Sequence, residues 1–174
     1  MMEALENLLT RRSVRAYTDE KVSREDLEKI LEAGKYAASG MGRQAAIIVA
    51  VQNPETLRKL EELNCTSVGN PVGHPFYGAT TVIVVLADKN IHTHVYDGAL
   101  VMGNMMNAAH ALGLGSCWIH RARETFETEE GRRLLKQWGI EGDYEGIGNL
   151  IVGHYEGELP APKPRKENYA VLDL

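Results

Sequence analysis

The sequence predicts one sheet domain of the α/β or α+β class, with helices on the faces of its sheet. Three observations carry this. Apolar runs that read as strands stand at Ala45–Val51 (AAIIVAV), Thr80–Ala87, Ser116–Ile119 and Gly148–His154. Segments of helical period alternate with them, the pattern of helices laid on a sheet. The chain has 174 residues, within the ~100 to 200 usual for one domain, so 1–174 is read as a single unit.

Each element has a local reason. Met1–Thr10 (MMEALENLLT) reads as an acidic amphipathic helix and not as an export leader. Ser23 is placed to cap a second helix, with Asp26 in the reciprocal position and Leu27, Ile30, Leu31 and Gly34 on one face, running to about Ala38. Strand Ala45–Val51 is followed by Asn53-Pro54, a cap and a first-turn proline for a helix over Glu55–Leu63. Cys65–Ala79, broken by prolines and glycines, reads as a loop. After strand Thr80–Ala87 comes a helix near Tyr96–Leu112, stopped by Gly113, then strand Ser116–Ile119. A charged helix over about Thr128–Trp138 precedes the last strand. Glu156–Leu174 carries Pro160, Pro162 and Pro164, no helical period and an apolar end, and reads as an extended arm.

The Tyr96–Leu112 helix is apolar all round, which asks for burial on every side. A subunit interface supplies that more easily than a domain this small, and an arm with an apolar tip points the same way. The longest apolar stretch, Ala99–Leu114, is shorter than the ~20 residues that cross a bilayer and contains Asn104, Asn107 and His110. No membrane span is expected.

Composition narrows the function. Charged residues are 25% and hydrophobic ones 44% of the chain, the balance of a protein with a core. The net charge of −5 has the wrong sign for general attraction to nucleic acid or acidic lipid. Cys65 and Cys117 are too far apart for a CxxC site and too few for a disulfide scaffold, so a cytoplasmic location is the expectation.

Against that acidic background, Arg11, Arg12, Ser13 and Arg15 fall within five residues. Guanidinium groups at this density suit a phosphate or carboxylate clamp; the plainer alternative is a solvated turn. Lys163-Pro164-Arg165-Lys166 on the arm is a second basic group that could converge on the same phosphate. Gly113–His120 (GLGSCWIH) could bring backbone amides against a flat ligand, or be only a helix cap and a strand. The histidines lack zinc-site spacing, and no GxSxG elbow, P-loop or dinucleotide fingerprint occurs. With no evident acid, base or nucleophile, the residues point to a bound cofactor that carries the chemistry.

RRSVRAY at Arg11–Tyr17, YDGALVMGNMMNAAHALGLGSCWIH in the middle and PKPRKE near the end resemble the FMN-dependent nitroreductase family, of which this chain looks like a short member. The resemblance implies an α+β fold with a central mixed β-sheet flanked by helices. It also implies a homodimer with FMN at the interface and a C-terminal arm, 156–174, exchanged with the partner subunit. Arg11, Arg12, Ser13 and Arg15 fall on the motif for the FMN phosphate, ribityl chain or pyrimidine edge, and Lys163 and Arg165 on the arm's phosphate pair. Ser39, Gly40 and Met41 fall on the loop that reaches the other subunit's flavin, although the family's Asn and Pro-Trp are missing from 38–46. Ile119, His120 and Arg121 fall where the backbone meets flavin N5 and the ring edge. A ring contact from an asparagine falls to Asn64 or Asn70. The implied activity passes hydride from NADH or NADPH through flavin N5 to a nitroaromatic, quinone or similar acceptor, by a ping-pong route and with no catalytic side chain. The alternatives are a same-fold dehalogenase or flavin-degrading enzyme, a non-catalytic flavin sensor or store, and a simple anion-binding scaffold.

Overall fold

The structure, a computed structural model, describes residues 3–67, 69 and 73–174. Four strands form its sheet: β1 (Ala46–Val51), β2 (Thr81–Asp88), β3 (Gly115–Ile119) and β4 (Tyr144–Gly153), in the order β1-β2-β4-β3. All three ladders are antiparallel, with Ala46 opposite Ala87, Thr81 opposite Val152 and Gly115 opposite Gly153. A bulge lies between Val85 and Leu86, whose partners are Gly148 and Gly146. One parallel bridge, Ser13 to Ser116, makes the sheet mixed at its β3 edge.

Six helices cover the faces: α1 (Ala4–Thr10), α2 (Arg24–Lys35), α3 (Pro54–Ser67), α4 (His94–Ala111), α5 (Ala122–Glu127) and α6 (Glu129–Gln137). β2 is apolar along its length because both of its faces are covered. Ile83, Val85 and Ala87 enter a core with Ile30 of α2 and Met102 and Met105 of α4. Val82, Val84 and Leu86 enter another with Leu60 of α3, Phe126 of α5 and Leu135 of α6. The fold is therefore α+β in three layers. Among the described residues no helix is long and apolar enough to cross a membrane.

Between α1 and α2 the chain runs as a strap across one end of the sheet. Val14 N–H donates to Ser116 O (3.0 Å), Thr18 N–H to His154 O (3.0 Å), Thr80 Oγ1 to Glu20 O (3.2 Å), and Gln52 Nε2 to Val22 O (2.9 Å). The strap thus visits β3, β4, β2 and β1 in turn, and satisfies backbone groups at the sheet's end that would otherwise need water.

Several boundaries differ from expectation. α2 stops at Lys35, where Tyr36 N–H donates to Glu32 O (3.3 Å) and Ala37 N–H turns back to Gly34 O (3.1 Å) in a tightened last turn; 36–38 lie outside it. Ser23 does cap α2, and the Asp26 carboxylate accepts from its hydroxyl. Asn53 Oδ1 accepts from Glu55 and Thr56 N–H as foreseen, but α3 continues to Ser67 and takes in Cys65, which was expected in a loop. α5 was not foreseen. β4 begins at Tyr144, four residues before the expected Gly148, because its glycines mask the strand. A Cβ on Gly146 would lie 2.3 Å from Ala122 O, and one on Gly148 would lie 2.5 Å from Trp118 Nε1. α4 is not enclosed within the chain: Met102 and Met105 are buried, yet Tyr96 is 73% and Leu100 50% exposed. Glu156–Leu174 has no helix or strand and stands exposed almost throughout.

Candidate functional site

The basic cluster forms where α1 ends against the C-terminal half of α4. Asn7 Nδ2 donates to Asn107 O (3.0 Å), and Thr10 Oγ1 lies 2.9 Å from His110 Nε2, so α1 is fastened to α4 at two points. The strap's bridge to Ser116 then fixes Ser13 beside β3. Between these anchors lie Arg11 and Arg12, both half-buried. Arg12 Nη1 donates to Leu9 O and Arg11 O, both 2.8 Å away, and so serves the carbonyls at the end of α1. Arg11 Nη1 and Arg12 Nε are buried and have no hydrogen-bond partner among the described residues. Arg15 points to solvent.

Two buried guanidinium donors without acceptors fit an anion. A charged donor withdrawn from water and left unpaired is costly, and a phosphate would accept from both groups while neutralising them. His110 shares this environment: burial first, then the charges of Arg11 and Arg12, hold its pKa below the ordinary 6.5. It is therefore neutral at neutral pH and does not add to the positive charge.

The β3–α5 turn contains the second expected group. Asn64, on α3 and buried, donates from Nδ2 to His120 O at 2.7 Å, so this amide braces the turn from beneath. Arg121 follows with φ +78°, a left-handed conformation that few side-chain-bearing residues adopt. Its carbonyl accepts from Thr125 N–H (3.0 Å) and Thr125 Oγ1 (2.9 Å), and its Nη1 lies 2.6 Å from Glu124 Oε1. That bond holds the Glu124 pKa below the usual carboxylate range. Ile119 ends β3, and His120 is exposed at the mouth of a cleft of about 280 Å³ shared with Trp118, Glu124 and Glu145. Asn70, the other candidate for a ring contact, lies outside the described residues.

Ser39, Gly40 and Met41 sit on a tight loop at the other end of α4. Gly40 N–H donates to Asp97 Oδ1 (2.9 Å), Thr93 Oγ1 donates to Asp97 Oδ2 (3.0 Å), and Gln44 N–H donates to Ser39 Oγ (3.1 Å). Met41 and Gln44 both have positive φ, and Met41 is 73% exposed at the tip. A Cβ on Gly40 would lie 2.5 Å from Thr93 Oγ1, which explains the glycine. The buried carboxylate of Asp97 is the anchor that sequence reasoning missed. Its signal was a lone acid in the first turn of an otherwise apolar helix.

Lys163 and Arg165 are exposed on the arm, with no hydrogen bond or ion pair to any described residue. Within one chain the three groups are separate: Arg11 and Arg12 lie with Ser13 at the C-terminal half of α4, Ile119–Arg121 follow β3, and Ser39–Met41 lie against the first turn of α4. Among the described residues no group of three or more His, Cys, Asp or Glu could hold a metal ion.

Known proteins share this fold. A model of the nitroreductase family matches residues 8–69 and 73–154. A protein of Archaeoglobus fulgidus, provisionally named an NADH dehydrogenase/NAD(P)H nitroreductase, is 32% identical over 99% of this chain and 93% of its own. An FMN reductase [NAD(P)H] of Bacillus subtilis is 26% identical over 98% of this chain and 73% of its own. Among solved structures, a Bacteroides fragilis nitroreductase with bound FMN superposes with a TM-score of 0.89 at 30% identity, covering 99% of each chain. With the family model spanning most of the sequence, this chain belongs to the nitroreductase family.

Proposed function

We propose that the protein is an FMN-dependent NAD(P)H oxidoreductase that works as a homodimer. The observation that carries this reading is the pair of buried, unpartnered guanidinium nitrogens on Arg11 and Arg12, set where the strap meets β3. The bound FMN of the Bacteroides fragilis relative and the FMN reductase of Bacillus subtilis support the same cofactor.

When bound, FMN would supply hydride-transfer chemistry between NADH or NADPH and a nitroaromatic, quinone or similar flat conjugated acceptor, the two using the site in turn by a ping-pong route. The chain's own contribution is binding and orientation. Arg11 and Arg12, with Ser13 and Arg15 beside them, would hold the phosphate and the polar chain that follows it. Lys163 and Arg165 would add two cations when the arm closes over that phosphate. The backbone of Ile119, His120 and Arg121 would border the ring, and Asn64 keeps that border in place through His120 O. Backbone donors fixed before reaction favour the charge that develops on a reduced ring. The Ser39–Met41 loop of a second copy, stiffened by Asp97, would exclude water from the other side. No side chain acts as nucleophile or general acid.

The test is an anaerobic titration of protein reconstituted with FMN. The yellow colour should bleach rapidly with NADH or NADPH and return on addition of menadione or a nitroarene. Protein that stays colourless after reconstitution overturns the cofactor assignment. Protein that is yellow but bleaches slowly, or does not recover with those acceptors, is a flavin-binding module and not this enzyme.

A further inference from the structure

Helix α1 is packed the wrong way round for a surface helix. Its apolar side chains Leu5, Leu8 and Leu9 are exposed, while the one residue it buries is polar: Asn7, 8% exposed. A helix ordinarily turns its apolar stripe inward, because a polar side chain taken out of water is costly unless it finds hydrogen-bond partners inside.

Asn7 finds half of them. Its Nδ2 donates to Asn107 O of α4 at 3.0 Å. That bond settles which way the amide faces, since only the nitrogen can donate to a carbonyl, and it turns Oδ1 away from Asn107. Oδ1 is buried and has no hydrogen-bond partner among the described residues. Asn7 stands one helical turn before Arg11, and Asn7 O accepts from Arg11 N–H (3.2 Å). Among the described residues, six buried side-chain nitrogen or oxygen atoms lack a partner, and three of them belong to this corner: Asn7 Oδ1, Arg11 Nη1 and Arg12 Nε.

The three orphans differ in kind, and the difference selects a ligand. Arg11 Nη1 and Arg12 Nε are charged donors, which a phosphate satisfies. Asn7 Oδ1 is a neutral acceptor, and a phosphate dianion has no proton to give it. A hydroxyl does. A phosphate monoester with hydroxyl groups along the chain that it esterifies supplies both kinds of partner within one molecule.

We propose that Asn7 binds the flavin directly, its Oδ1 accepting a hydrogen bond from a hydroxyl of the ribityl chain beside the phosphate that Arg11 and Arg12 hold. This rests on the FMN reading above and extends it. The clamp starts one turn before the arginines and reads the sugar alcohol as well as the anion.

The experiment titrates the apoprotein, followed by flavin fluorescence, with FMN and with a phosphopentyl flavin, which has hydrogens in place of the ribityl hydroxyls. Asn7→Leu should bind FMN about 2- to 10-fold more weakly than wild type does and the phosphopentyl flavin as tightly as before. Equal weakening of both ligands overturns the proposal, because Asn7 then only supports α1; so does no weakening of either. A second reading needs no substitution. In wild-type protein isotopically labelled at the asparagine side-chain carbonyls, the Asn7 resonance should shift on addition of FMN and stay in place with the phosphopentyl flavin. Equal shifts with the two ligands, or none with either, overturn the proposal. Protein that binds neither flavin overturns the cofactor assignment and this inference together, whereas protein that binds both without distinguishing them at Asn7 overturns this inference alone.

Discussion

At the scale of single residues, the site is a problem of unpaired charge, and its predictions follow from that. Among the described residues Arg11 Nη1 has no acceptor, and the proposed function gives its charge-assisted bond to the cofactor phosphate. Arg11→Ala should weaken FMN by about 1.5 to 3 kcal/mol, roughly 10- to 150-fold in Kd, read by fluorescence titration of the apoprotein. Equal affinity in mutant and wild type would remove Arg11 from the clamp. His110 gives the pH dependence. Its folded pKa lies below the ordinary 6.5, so between the two values the unfolded chain binds the proton and the folded chain does not. Stability should therefore fall as pH drops below about 6.5, and His110→Gln should flatten that part of the profile. Bound phosphate offsets the two arginine charges, so FMN-loaded protein should lose less stability over the same interval. Asp97 acts on the loop. Asp97→Ala removes the acceptor of Gly40 N–H, and exchange of that amide should quicken markedly while the amides of β2 keep their protection.

At the scale of elements, what could be read from the sequence was what local chemistry decides. The Ser23 cap, the Asn53 cap and the two-sided apolar run of β2 all appear in the structure where their residues place them. What could not be read depends on neighbours distant in sequence. The expected strand starts at Gly148 and so misses Tyr144–Ile147, Gly146 among them; Gly146 and Gly148 are glycines to admit α5 and Trp118. Arg11–Ser13 was visible as a charge cluster, but the donors left over after Arg12 serves the end of α1 are visible only in three dimensions. The sequence leaves the ring contact to Asn64 or Asn70; what it does not show is that Asn64 Nδ2 donates to His120 O, a bond between residues 56 positions apart. The tight packing of β4 makes a prediction of its own. In Gly146→Ala the new methyl would meet the backbone of Ala122 at 2.3 Å, and backbone cannot rotate away. Overpacking of this kind should cost about 1 to 3 kcal/mol, read as a lower urea midpoint at unchanged slope.

At the scale of the whole molecule, a single copy leaves apolar surface exposed that the proposed second copy would cover. Leu5, Leu8 and Leu9 of α1 are 59–68% exposed, Tyr96 and Leu100 open one face of α4, and the arm's tip touches no core. The two basic groups proposed for one phosphate also lie on parts of the chain that do not meet within it. The proposed homodimer would answer both, by covering α4 and giving the arm a surface to cross. The arm should therefore matter twice. Deleting Pro160–Leu174 removes Lys163 and Arg165 from the proposed phosphate site and Tyr169–Leu174 from the proposed interface, while β1–β4 and α1–α6 stay intact. The truncated protein should keep its far-ultraviolet circular dichroism, lose flavin on gel filtration and dissociate at higher concentration than the full chain in sedimentation equilibrium. Replacing only Lys163 and Arg165 with Ala separates the two roles: flavin retention should fall and the dimer should persist. If truncation leaves both flavin content and dissociation unchanged, the arm has no part in either, and the interface must be built from the exposed faces of α1 and α4 alone.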